Sequence, residues 1–193
     1  HAEDEGMDQL GFIVENDLIQ SALFEAIDSS KITIINAKLD SLLKTDIGYT
    51  VTLDDESNLS CNLVVGADGS QSKVRNLVAI EVTERDYNQK AIIANIVSEK
   101  PLENTTWQRF LSDSIIALLP LSENKASIVW SCRSGLADEL MELDIDDFNQ
   151  SLSEVVEYRF GKLIVESKRK VFPLVERSAK DYTLPNLALI GDA

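Results

Sequence analysis

"VVGADGSQSKVR", residues 64–75, is the stretch on which the reading of this chain turns. An apolar run, Leu63-Val64-Val65, stops at Gly66 and turns through Ala67-Asp68-Gly69. Within three residues it enters a basic, helix-compatible segment holding Ser72 and Arg75. Valine-rich runs that end in glycine read as buried strands, and glycine permits a tight turn or the close approach of a ligand to the backbone. Two readings are open for the stretch by itself: a surface turn, or a binding loop at the carboxyl end of a strand.

Around it, the pattern is mixed. From Asn16, the residues Leu18, Ile19, Ala22, Leu23, Ala26 and Ile27 recur at helical spacing, with Asn16 a candidate N-cap and Ser29-Ser30 closing the helix. Strands are expected at 31–36, 38–45, 49–54 and 59–65. Alternation in Tyr49, Val51 and Leu53 opposite Leu59, Cys61 and Leu63 reads as a hairpin through the turn at 54–58. After Arg85 the strands lengthen (89–99, 105–111, 114–121 and 125–133) and their short connections predict an antiparallel sheet. Ser134 and Asp144 are expected to cap helices over 135–142 and 145–160, the second with Phe148, Leu152, Val155 and Val156 on its apolar face and Gly161 ending it. A long strand, "KLIVESKRKVFPLV", then returns and is expected to break at Pro173. Strand aromatics such as Trp107, Phe110, Trp130 and Phe172 are read first as core, with a substrate-pocket wall as the alternative.

Composition narrows the function classes. The chain has 193 residues, 44% of them hydrophobic and 26% charged, which is the balance of a folded protein. With 33 acidic and 18 basic side chains the net charge is -15, so a nucleic-acid partner is disfavoured, as is adhesion to an anionic membrane through a basic patch. His1 is the only histidine, which disfavours a Ser-His-Asp triad, a Cys-His pair and a histidine-based zinc site within the chain. Two cysteines, Cys61 and Cys132, do not make a disulfide scaffold, and both sit in strand patterns. No apolar run approaches a membrane span.

The far end of the chain repeats the opening device. In "LPNLALIGDA", residues 184–193, a hydrophobic run through Ile190 delivers its carboxyl end to Gly191 and Asp192. Ligands of open α/β sheets sit at the carboxyl ends of strands, where a glycine admits the ligand and an aspartate accepts hydrogen bonds from sugar-type hydroxyls.

Taken in order, these segments resemble the class A flavoprotein monooxygenases. "GADGSQSKVR" is similar to their D-G motif and "LALIGDA" to the start of their G-D motif. "LGFIVENDLIQSAL", "NQKAIIANIVSEKP", "WQRFL", "IALLPL", "SIVWS" and "VFPL" are similar to the ubiquinone-biosynthesis hydroxylases of that family, so the resemblance runs from about Leu10 to Ala193. It implies a mixed α/β fold. Residues 1–85 would form part of a Rossmann-like FAD-binding domain, 86–176 a substrate domain with a mostly antiparallel sheet covered by helices, and 177–193 a return to the FAD-binding domain.

The resemblance also implies roles. Asp68 and Gly69 would lie along the FAD pyrophosphate and near the nicotinamide cofactor, with Arg75 fixing the loop and the phosphate region. Asp192, backed by Gly191, would hold the ribityl hydroxyls. Asn16 falls where many members carry a residue that reaches the FAD phosphates, although a plain helix cap is an equal reading. The implied activity is an FAD-dependent, NAD(P)H-using hydroxylation of a polyprenylated phenol ring with O2, by way of a C4a-hydroperoxyflavin. The expected location is the cytoplasm or a membrane surface facing it, with a membrane or a biosynthetic complex as the candidate contacts of the parent protein. The departure from the family is that no G-x-G-x-x-G occurs in these 193 residues. The chain is therefore expected to be an internal fragment that is inactive alone. Other D-G/G-D flavoenzymes (halogenases, prenyl reductases) and a non-catalytic lipid-binding remnant remain alternatives.

Overall fold

The computed structural model describes residues 2–193; the single histidine, His1, lies outside the described residues. The chain divides into two compact units, one of residues up to 27 together with 86–174, the other of 28–85 with 175–193.

In the first unit, helix α1 (Asn16–Glu25) buries none of its residues. The core is built on strands β5 (Val82–Ser98), β6 (Trp107–Phe110), β7 (Ser114–Ser122), β8 (Lys125–Arg133), β9 (Leu163–Val165) and β10 (Lys170–Ala179), in the order β10-β5-β8-β7-β6 with β9 also on β5. The chain passes between the two units within β5 and within β10. Neighbours β5 and β8, and β7 and β8, run antiparallel, so the expectation for this region holds. Alternation explains which face is covered. Ile92, Ala94 and Ile96 on β5, Ile116 and Leu118 on β7, and Ile128, Trp130 and Cys132 on β8 share a core with Leu140 of α3 (Ser134–Glu142) and Phe148 and Leu152 of α4 (Ile145–Val155). Each fully buried isoleucine, leucine or phenylalanine among them contributes about 1.5–3 kcal/mol.

Local details sharpen the sequence reading. Asp144 caps α4 as expected, accepting from the amides of Asp146 and Asp147. Ser134, in contrast, is the first residue of α3 and Arg133 stands in the cap position. Helix α4 ends at Val155 rather than near 160, because Glu157 and Tyr158 take left-handed φ values of 53° and 52°. Pro173 does not interrupt its strand: β10 is an edge strand, where a missing amide costs no ladder bond, and the break falls instead at 166–169. Trp130 is core and the partly buried Trp107 packs against that core, its ring edge-on to Phe160, but Phe110 and Phe172 are exposed, so the core reading fails for those two.

The second unit holds a meander, β1 (Leu39–Lys44), β2 (Tyr49–Leu53) and β3 (Asn58–Cys61), and a small sheet in the order β11-β12-β4, with β4 at Val64–Gly66, β11 at Thr183–Leu184 and β12 at Leu187–Leu189. The hairpin register pairs Tyr49 with Cys61 and Val51 with Leu59. The expected strand over 59–65 is two strands, broken at Asn62-Leu63, because β3 pairs antiparallel with β2 whereas β4 pairs parallel with β12. The segment 31–36 is not a strand. Ile32, Ile34 and Ile35 are exposed, and a strand needs a hydrogen-bonded neighbour that this segment lacks among the described residues.

Candidate cofactor site

Strands β4 and β12 position the site. Their parallel register sets Gly66 beside Leu189, and the amide of Ile190 donates to the Gly66 carbonyl at 2.9 Å. Both carboxyl ends therefore reach one edge of the sheet together, and the Asp68-Gly69 and Gly191-Asp192 turns leave from that edge. This is the juxtaposition that a crevice at strand ends requires.

The first turn is a built structure. Ser72 is fully buried and caps the short helix α2 (Lys73–Leu77): its hydroxyl accepts from the Arg75 amide at 3.0 Å and donates to Asp68 Oδ1 at 2.6 Å. Asp68 Oδ2 accepts from the amides of Lys73 at 2.7 Å and Val74 at 3.1 Å. Both carboxylate oxygens thus face inward, and Asp68 shapes the loop. Partial burial pushes its carboxyl up, but the bonds from Ser72 and from the amides of Val74 and Lys73 outweigh that and hold it below the ordinary carboxylate value.

A prediction arises here. Asp68→Ala should lose about 1–2 kcal/mol of stability at pH 7, the worth of an N-terminal cap. The folded carboxyl titrates below the unfolded one, so its contribution is complete above the unfolded value and is lost as pH falls through the folded value. Urea unfolding of both proteins from pH 7 down to about pH 2 should show the gap closing below about pH 4; a constant gap would contradict the assigned hydrogen bonds.

Beside the second turn lies a cavity of about 360 Å³ within this unit, lined by Ser70, Arg75, Arg177, Tyr182, Gly191 and Asp192 among others. Arg75 is only 6% exposed, yet no carboxylate pairs with it among the described residues. Its Nη2 donates to the Ser70 carbonyl at 2.8 Å, and its buried Nε has no partner. A buried guanidinium without a counter-charge is costly, which points to an anion that completes the site. Gly191 has φ 64° and nothing within 4 Å of where a Cβ would stand, so the backbone there is open to a ligand.

The expected residues are thus partly gathered. Arg75, Gly191 and Asp192 line the cavity. Asp68 and Gly69 do not, and they form the turn beside Arg75. Asn16 belongs to the other unit, is exposed, and is the first residue of α1 rather than its cap, with Glu15 in the cap position. Sequence reasoning missed Arg177 and Tyr182. Neither belongs to a motif, and only the tertiary fold brings them to the cavity beside the Gly191 turn. Elsewhere, burial pushes the Cys132 thiol up to about 11, with Asp113 and Asp138 adding to the rise, so it is no thiolate nucleophile. No cluster of three or more metal-binding side chains occurs among the described residues. Nor, among them, is any helix long and apolar enough to cross a membrane.

A buried guanidinium, an open glycine and an acceptor-only carboxylate fit a phosphate-bearing cofactor with hydroxyl groups, as FAD has. The comparisons with known proteins agree. The FAD binding domain family matches residues 21–193. The ubiquinone biosynthesis monooxygenase COQ6 of Homo sapiens is 31% identical over 240 residues, covering 98% of this chain and 50% of that protein. The 3-demethoxyubiquinol 3-hydroxylase of Escherichia coli K12 is 32% identical, over 95% of this chain and 47% of its own length. The chain therefore spans about half the length of these relatives. Among solved structures, the flavin-dependent halogenase CmlS superposes with a TM-score of 0.74 over 93% of this chain and 35% of its own, at 15% identity, a likeness of fold. The resemblance to class A flavoprotein monooxygenases holds, and the chain belongs to the FAD binding domain family.

Proposed function

We propose that this chain is part of an FAD-dependent, NAD(P)H-using hydroxylase that acts with O2 on a polyprenylated phenol ring in ubiquinone biosynthesis. The observation that carries the reading is the pair of parallel strands that set the D-G and G-D turns at one sheet edge, beside a cavity with an uncompensated buried arginine. The similarity to ubiquinone-biosynthesis enzymes supports the substrate class.

In this reading Arg75 holds phosphate, and Asp68, through Ser72 and the α2 amides, keeps the Arg75 loop in shape. Gly191 admits the cofactor to the backbone, and Asp192 accepts hydrogen bonds from ribityl hydroxyls. Gly69, at φ 79°, supplies the left-handed turn that a side chain would strain. When bound, the flavin supplies the redox chemistry that lets NAD(P)H and O2 hydroxylate an aromatic ring. No titrating histidine or thiolate of this chain is needed. The antiparallel sheet of the first unit is assigned to substrate binding. The isolated chain, which lacks G-x-G-x-x-G, is assigned weak FAD binding and no activity.

The test uses the whole protein that carries this chain. It should purify with FAD, and Asp192→Ala should weaken FAD affinity about tenfold or more, the worth of one or two lost hydrogen bonds to a charged group. Incubation with NAD(P)H, labelled O2 and a 2-polyprenylphenol should place the label in the ring hydroxyl. Unchanged FAD affinity in Asp192→Ala would overturn the assignment of that residue. Absence of label from every phenol tried would overturn the proposed activity.

A further inference from the structure

We propose that Arg177 joins Arg75 in a two-guanidinium seat for the phosphate of a phosphorylated polyol, and that Glu84 is the internal anion this phosphate displaces from Arg177. The proposal deepens the cofactor reading above and rests on it.

Arg177 lies on β10 and Glu84 on the neighbouring strand β5, where Arg177 Nε donates to Glu84 Oε1 at 2.6 Å. The hydrogen bonds of Arg177 use Nε alone, so its two terminal nitrogens have no protein partner among the described residues. Arg177 nevertheless lines the same cavity as Arg75. The two arginines differ in a way that matters. Arg75 is buried and has no carboxylate, so its charge is uncompensated when the cavity is empty. The side chain of Arg177 is 36% exposed and held by a Glu84 that is itself 55% exposed, a pair screened enough to exchange partners at small cost.

The third charge in the cavity is Asp192. It makes no hydrogen bond or ion pair with either arginine, so it does not neutralise them. A carboxylate accepts and cannot donate, so it suits the hydroxyls of a ligand. Gly191 leaves the backbone between these groups open. A ligand that satisfies the whole wall carries an anion at one end and hydroxyls close behind it. Guanidinium groups arriving from α2 and from β10 address a tetrahedral group with three outer oxygens better than a planar carboxylate with two. The class is therefore a phosphorylated polyol, of which a ribityl phosphate is an example.

FMN and riboflavin separate the phosphate from the rest of such a ligand, since they differ in that group alone. Each would be titrated into this chain and followed by NMR of the Arg177 Nε–H and by flavin fluorescence. FMN should bind about tenfold tighter than riboflavin, the effect of one charge-assisted contact, and inorganic phosphate should compete with it. Arg177→Gln should cut the preference for FMN several-fold, leaving the part that Arg75 supplies. Glu84→Gln should tighten FMN several-fold and leave riboflavin unchanged, an effect that simple loss of structure does not produce. Equal affinities for the two flavins in the native chain would overturn the proposal, as would an FMN preference that Arg177→Gln leaves undiminished, or no binding of either flavin. If these outcomes occur while the whole protein still retains FAD, the two-arginine seat fails and the cofactor reading stands. If the FMN preference is seen but the whole protein never binds FAD, the cofactor reading is what fails.

Discussion

Phe148→Ala should be the most damaging single truncation in the first unit, costing about 3–5 kcal/mol in urea unfolding. Phe148 is fully buried on α4, its ring 6.1 Å from that of Trp130. The guanidinium of Arg169 lies 4.6 Å over its face, and that arginine donates to the carbonyls of Leu140 at 3.0 Å and Leu143 at 2.7 Å, at the end of α3. Removing the ring leaves a cavity against the sheet and takes away the surface that orients Arg169, so α3 loosens with it. Phe148→Leu keeps most of the volume and should cost less than half as much. An alanine variant within about 1 kcal/mol of the native protein would show that this core collapses around the gap.

Gly66→Val should disable the candidate site while leaving Asp68, Arg75, Gly191 and Asp192 in place. A Cβ at Gly66 would stand 2.8 Å from Leu189 Cδ2 and 3.0 Å from Val74 Cγ1. The first neighbour belongs to β12 and the second to α2, so a larger side chain pushes β4 off both. Alanine should cost about 1–3 kcal/mol by overpacking, and valine more. The register that sets the two turns together should go with it, and flavin titration should report the loss. Gly69→Ala is the contrast. No atom lies within 4 Å of its Cβ position, so the penalty is only that of a left-handed φ of 79°, about 1 kcal/mol. A Gly66→Val protein that melts like the native one would refute the close packing of β4 against β12 and α2.

Much of this was legible in the residues because the signals are local. Alternation along Ile92, Ala94 and Ile96 marks a half-buried strand wherever that strand lies, and Asp144 before "IDDF" marks a helix start. The two glycine-aspartate turns were legible for the same reason: each follows directly from the short apolar run before it. Where the reading failed, the missing information was a partner. "KITIIN" has the composition of a strand but no neighbour among the described residues. Residues 59–65 look continuous, yet two different neighbours divide them. Pro173 sits within a strand because that strand is at an edge.

The sequence by itself determined that this protein has a mixed α/β fold, the position of both turns, and the identity of Asp68, Arg75 and Asp192 as the groups to watch. Only the tertiary structure decided what those groups do. Asp68 points into its own loop, Arg75 is buried without a counter-charge, and Arg177 meets Glu84 across 93 residues of chain to face the same cavity. The reason is physical. Propensity and periodicity act over a few residues, whereas the energy of a charge depends on the groups facing it, and strand pairing alone sets which those are.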